Sequence, residues 1–311
     1  MSRSLAIACI VIFCMPQPSH AKDVPLGIWS WSQDSISTPE ARTKLLDFCR
    51  DQGVSHIDQH VSIRKQGDQQ VLQNPDQLAE LIVDAAKRNI AVSALRGDKS
   101  MFFANQHDKR LEELAILIKF NRQLPKNASL FGVKYDVEPY LTQEWKSGGQ
   151  SREKVTSDYL HCLVKMRQLM DDQNSNLDFS VDVPFWWDKQ ELAMEFNGQR
   201  KPFVNHIQDH VDSVSLMSYR RDASGVKKLA EGELDYSHSR PKSVSRNSVS
   251  LGLNFNRASG VEEKTTFAGH PISVYQETLA SLRETLSTVP AVRCIMLHDY
   301  KHLSAYLHQN N

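Results

Sequence analysis

Cysteine is scarce in this sequence, five among 311 residues, and two of them, Cys9 and Cys14, lie in an apolar segment at the amino terminus. The other three, Cys49, Cys162 and Cys294, cannot form a disulfide framework, although one bridge plus one free thiol stays open. Their spacing fits no metal-site pattern, and each sits in an apolar helix- or strand-like stretch, which points to buried, inert thiols. Long hydrophobic runs are missing too. The run from Leu5 to Met15 falls short of the ~20 residues that span a bilayer, and no later segment approaches that length. With Arg3 ahead of it and Ser19-His20-Ala21 behind, this run reads as a signal peptide over residues 1–21. Residues 22–311 are then expected to form one exported domain, periplasmic or extracellular, with no membrane anchor. Neither sign of charge is in excess, with 37 acidic and 37 basic residues and no long block of either, so nothing indicates nucleic acid or an anionic membrane as a partner. There is no G-x-G-x-x-G phosphate loop after the first strand, no G-x-S-x-G nucleophile elbow and no H-E-x-x-H pair. Dinucleotide and serine-hydrolase chemistry therefore have no motif behind them, and no cofactor is implied.

What is present is an alternation. Strand-like apolar runs fall at 25–30, 54–60, 90–95, 129–138, 177–184, 211–218, 248–254 and 292–298. Between them lie helical patterns at 39–52, 75–88, 109–122, 152–173 and 273–287. Leu78, Leu81, Ile82, Ala85 and Ala86 show the helical spacing, and Thr38 before Pro39 predicts a capped helix start. Near-continuous apolar strands separated by helices call for a parallel sheet covered by helices. Eight such units in about 290 residues place the chain in the α/β class as a (β/α)8 TIM barrel, with an open doubly wound sheet as the alternative. The connection 219–247 is long and Ser/Lys-rich, and predicts a short helix near 226–231 followed by a surface loop.

In such a barrel, reactive groups gather at the carboxyl ends of the strands. The fourth strand ends in Asp136-Val137-Glu138-Pro139. Strand side chains alternate faces, so Asp136 and Glu138 point the same way with Cα atoms roughly 7 Å apart. Two neighbouring acids raise each other's pKa and cost stability when buried, which suggests chemistry, although a pair of solvated loop acids would look the same. The other strand ends bring Trp29 and Trp31, Asp58 and His60, Arg96 and Asp98, Tyr140, Asp182 with Trp186 and Trp187, Tyr219 and Arg220, Asn254, and His298, Asp299 and Tyr300. Four of the five tryptophans fall in this set. Indole faces stack on sugar rings, though core filling would also use them. Trp186 and Trp187 are adjacent and cannot both face inward, so at least one is expected as a platform over the cleft. Arg96 and Arg220 suit an acidic substituent of a substrate. Asp58, His60, His298 and Asp299 form a weaker candidate metal set for a metal-dependent hydrolase.

These residues resemble the chitinase-like (β/α)8 enzymes of glycoside hydrolase family 18. That family's fourth strand carries D-G-x-D-x-D-x-E. Here Gly132, Asp136 and Glu138 match, while Phe131 and Lys134 stand in place of the first two aspartates. Its sixth strand carries M-x-Y-D, matched by Met217-Ser218-Tyr219 with Arg220 in place of the aspartate. The resemblance implies Glu138 as proton donor, Asp136 as the group that orients a substrate acetamido, and Tyr219 as a supporting hydrogen-bond donor. Trp29, Trp31, Asp58, His60, Arg96, Tyr140, Asp182, Trp186, Trp187, Arg220, Asn254, His298 and Asp299 would then line the substrate cleft. Lys134 is expected to depress neighbouring carboxylates. If the substrate lacks an acetamido group, Asp182 or Asp299 is the candidate second carboxylate, since a retaining enzyme needs one across the sugar. The sequence thus predicts an exported enzyme cleaving a polysaccharide, or a carbohydrate-binding barrel that has lost turnover.

Overall fold

The computed structural model describes residues 23–240, 248–257 and 261–310. The signal-peptide segment and the end of the 219–247 connection lie outside the described residues. Eight strands, β1 (Leu26–Ser30), β2 (Val54–His60), β3 (Ala91–Gly97), β4 (Gly132–Asp136), β5 (Asp178–Val183), β6 (Ser213–Leu216), β7 (Ser248–Asn254) and β8 (Val292–His298), close into a barrel. Each pairs in parallel with its neighbours in chain order, and β1 closes the ring against β8. This is the (β/α)8 TIM barrel that the alternation predicts, and its helices form the outer layer.

Local chemistry explains the boundaries. The helix Pro39–Asp51 starts where Thr38 Oγ1 accepts from Ala41 N at 3.2 Å, with proline at its first position. Helix Pro75–Ala86 buries Leu78, Leu81, Ile82 and Ala85 along one stripe. Helices His107–Gln123, Gly149–Asp172 and Ile272–Leu286 agree with the predicted ones to within three residues at each end. Three differences stand out. The 219–247 connection is helical at Ala223–Lys228 and again at Glu231–Ser239, so less of it is loop than its Ser/Lys content suggested. Helices Phe203–His210 and Tyr300–Asn310 were not foreseen. Nor were two antiparallel hairpins, Ile63–Gln66 with Gln69–Leu72 and Ala193–Phe196 with Gln199–Pro202.

The main apolar core fills the space between barrel and helices, while Trp29, Leu95, Cys294 and Met296 make a separate small cluster inside the barrel. Below that cluster, toward the amino ends of the strands, the lumen is polar. A cavity of about 180 Å³ there is lined by Ser93, Ser180, Ser213, Ser215, Ser250, His56 and Arg293, among others. Cys49, Cys162 and Cys294 are buried, as read from the sequence, and the bridge left open there is not formed. No helix among the described residues is long and apolar enough to cross a membrane.

Candidate active site

Strand β4 sets the site. Lys134 reaches across the lumen, with Nζ 2.5 Å from Asp58 Oδ2 on β2 and 2.8 Å from Ser215 Oγ on β6. Its position fixes the inward face, and period-two alternation then puts Asp136 and Glu138 on that face, one and two steps nearer the carboxyl end. The strand stops at Asp136, so Glu138 lies two residues beyond it, where Pro139 begins the short turn Pro139–Leu141. That turn brings the Tyr140 hydroxyl back to donate to Glu138 Oε1.

A network of buried charges underlies the pair. Asp136 and Asp182 are register partners on β4 and β5, strands that lie about 4.8 Å apart. Asp182 Oδ2 accepts from Trp29 Nε1 at 2.9 Å, and Lys134 Nζ sits 3.4 Å from Asp182 Oδ1. Asp58 Oδ1 also meets His56 Nε2 at 2.8 Å. Burial pushes the Asp136 carboxyl well above the usual carboxylate range, and the charges of Asp182 and Glu138 push it further. Burial likewise raises Asp182, to about 6, against the pull of Lys134. Asp58 is equally buried, but Lys134 and His56 overcome the burial and hold it far below the usual range. Lys134 itself is raised, because Asp182 and Asp58 outweigh the cost of burying its charge. Lys134 therefore pulls all three carboxylates down as expected, but its pull wins only at Asp58, while at Asp136 and Asp182 burial outweighs it. The cation is spent one layer below the pair.

The remaining rim residues divide. Tyr219 points inward, its hydroxyl raised by burial and by the charges of Asp136, Asp182, Glu138 and Asp299. Its ring lies 5.7 Å from His298, which in turn meets Trp29 edge-on at 5.7 Å. Gly252 on β7 makes room for this ring, since a Cβ there would lie 2.8 Å from Tyr219 Cε1. His298 Nδ1 pairs with Asn254 Oδ1 at 3.2 Å, and burial lowers its pKa. Trp31 packs 5.9 Å from His60 and over Gly97, while Trp186 is half-buried with its ring 5.5 Å from Tyr140.

Four sequence expectations need correction. Arg96 faces the outside of the barrel, because Leu95 takes the inward position. Its guanidinium donates to Glu113 Oε2 and to Val61 O, both at 3.0 Å. Trp187 is fully buried among Trp145, Tyr159 and Phe203 as core, leaving the half-buried Trp186 as the more accessible member of the pair. Asp58 is sealed under Trp29 and Lys134 rather than open to the cleft. Asp299 accepts from His302 N and His302 Nδ1 at 2.9 and 2.8 Å, and so caps the last helix. The set Asp58, His60, His298 and Asp299 consequently does not converge. Among the described residues, no group of three His, Cys, Asp or Glu side chains is placed to hold a metal ion.

No protein-family model matches the sequence, and no curated protein matches it. Solved structures do. A chitinase from Bacteroides thetaiotaomicron superposes with a TM-score of 0.53 at 14% identity, covering 90% of each chain. A glycoside hydrolase family 18 N-acetylglucosaminidase from Paenibacillus barengoltzii gives 0.51 at 12% identity, covering 93% of this chain and 100% of that one. A GH113 β-1,4-mannanase gives 0.55 at 9%, covering 89% and 88%. The likeness is one of fold. The neighbours that share it include a chitinase, a family 18 N-acetylglucosaminidase and a GH113 mannanase.

Proposed function

We propose that this chain is an exported glycoside hydrolase acting on a polysaccharide, with Glu138 protonating the leaving oxygen. The observation that carries the proposal is Lys134 and Asp136 on the inward face of β4 with Glu138 just past its carboxyl end, where Tyr140 donates to Glu138 Oε1. A proton donor must be held in one orientation beside the bond it cleaves, and the Tyr140 bond supplies that hold. Asp136, whose carboxyl burial and the charge of Asp182 push well above the usual range, can hydrogen-bond an acetamido group and hold its carbonyl oxygen toward the sugar carbon. That favours an aminosugar-containing glycan, for which no second carboxylate across the ring is needed. Tyr219 supports the same group, and Trp31 and Trp186 supply stacking faces for neighbouring sugars. Glycoside hydrolase neighbours that include chitinases and a mannanase support a carbohydrate substrate.

Glu138→Gln and Asp136→Asn, assayed beside wild type on glycan panels, test the roles. Each is expected to lower kcat by about 10²–10⁴, the usual worth of a positioned acid or base. Undiminished hydrolysis by both variants discards the assignment. A second reading, a carbohydrate-binding barrel without turnover, is favoured by one feature, the ammonium of Lys134 where the family motif has an acid. Binding with no released product over long incubation selects it.

A further inference from the structure

Of the two arginines expected at the rim, Arg96 is occupied by Glu113 and Arg220 is not. Arg220 follows Tyr219 at the carboxyl end of β6 and is half-buried there. One N–H donates to Tyr219 O at 2.7 Å, and the guanidinium lies over the Phe185 ring, 5.5 Å from its centroid. These contacts hold the fork, and among the described residues only one of its five N–H donors is engaged in a hydrogen bond. No carboxylate among the described residues lies within 4.0 Å of it. Asp222 and Glu262 feel its charge, but the Asp222 carboxylate is taken by Ser224 Oγ and Gly225 N, where it caps the next helix, and Glu262 pairs with Lys264 Nζ at 2.7 Å. The guanidinium thus sits over the Phe185 face, and the half-buried Trp186 follows Phe185 in the chain just past β5.

We propose that Arg220 is a specificity-determining residue that receives an anionic substituent, a carboxylate or an O-sulfate, on a sugar stacked beside Trp186. The ligand class rests on the carbohydrate reading above. Lys134 cannot play this part, because its charge is locked between Asp58 and Asp182. Without Arg220, an acidic sugar would meet Glu138 and the Asp136/Asp182 pair unopposed. A planar fork suits a carboxylate or sulfate through two parallel hydrogen bonds, which an ammonium does not reproduce.

The test compares the full chain with Arg220→Gln and Arg220→Lys by calorimetric binding and by product release. Hexuronate-containing, O-sulfated and neutral oligosaccharides of equal length are the ligands. Wild type is expected to favour one acidic class over neutral sugars by about tenfold or more. Arg220→Gln should bring that ratio close to one, and Arg220→Lys should keep part of it. The uronate and sulfate arms show which anion is read. Equal affinity for acidic and neutral ligands overturns the proposal, as does a preference that survives in Arg220→Gln, or binding to neither acidic class. Because binding is read separately from turnover, an inactive Glu138→Gln with no acidic preference sinks only this inference. An acidic preference alongside undiminished Glu138→Gln activity sinks only the hydrolase roles.

Discussion

Lys134 shows how one side chain can reorganise a site. It is buried with Asp58, and such a pair tolerates loss of both partners better than loss of one. Lys134→Met leaves Asp58 without its cation and is expected to cost about 3–5 kcal/mol in denaturant unfolding at neutral pH. Adding Asp58→Asn should recover part of that loss, and a double variant less stable than the single would contradict the pairing. Asp182 makes a pH prediction. With its pKa raised to about 6, Asp182 is neutral below that pH and carries a negative charge above it. A cationic, oxocarbenium-like transition state is favoured by that charge, so kcat/KM should rise as pH increases through about 6. Asp182→Asn, neutral throughout, should lose the rise. At this scale the sequence made the Asp136 and Glu138 orientation legible through alternation alone. It could not reveal that Lys134 meets Asp58, Ser215 and Asp182, since those partners arrive from three other strands.

Among the elements, β7 and β6 depend on each other through Gly252 and Tyr219. A methyl at residue 252 would sit 2.7 Å from Leu216 O as well as 2.8 Å from the Tyr219 ring, so neither backbone nor ring can both stay in place. Gly252→Ala is expected to cost about 1–3 kcal/mol and to lower kcat more than it changes KM, because Tyr219 would tilt away from the acids. Thermal melts paired with steady-state kinetics check it, and an unchanged kcat would detach Tyr219 from the chemistry. Elements also explain the misread residues. Arg96 stands at a strand end, but on the odd step out, and position at the rim says nothing of which face a side chain takes. Asp299 looked like a site acid because the helix it caps, Tyr300–Asn310, went unrecognised. Trp187 followed the same logic as Trp186, and only the helices Gly149–Asp172 and Phe203–His210 packed against it decide that it is core.

For the whole molecule, the eightfold alternation was legible because each strand is apolar on its outer face and each helix keeps a regular stripe. The lumen was not, because serines on β3, β5, β6 and β7 look like ordinary surface residues until closure brings them together. A barrel of this kind usually fills its interior with branched aliphatic layers. Here the lower lumen is instead lined by hydroxyls with His56, Lys134 and Arg293. Exposing polar surface on unfolding lowers the heat capacity, while exposing apolar surface raises it. Calorimetry should therefore find a smaller heat-capacity increment per residue than in a barrel with an aliphatic interior, and a stability curve that changes more gently with temperature on either side of its maximum.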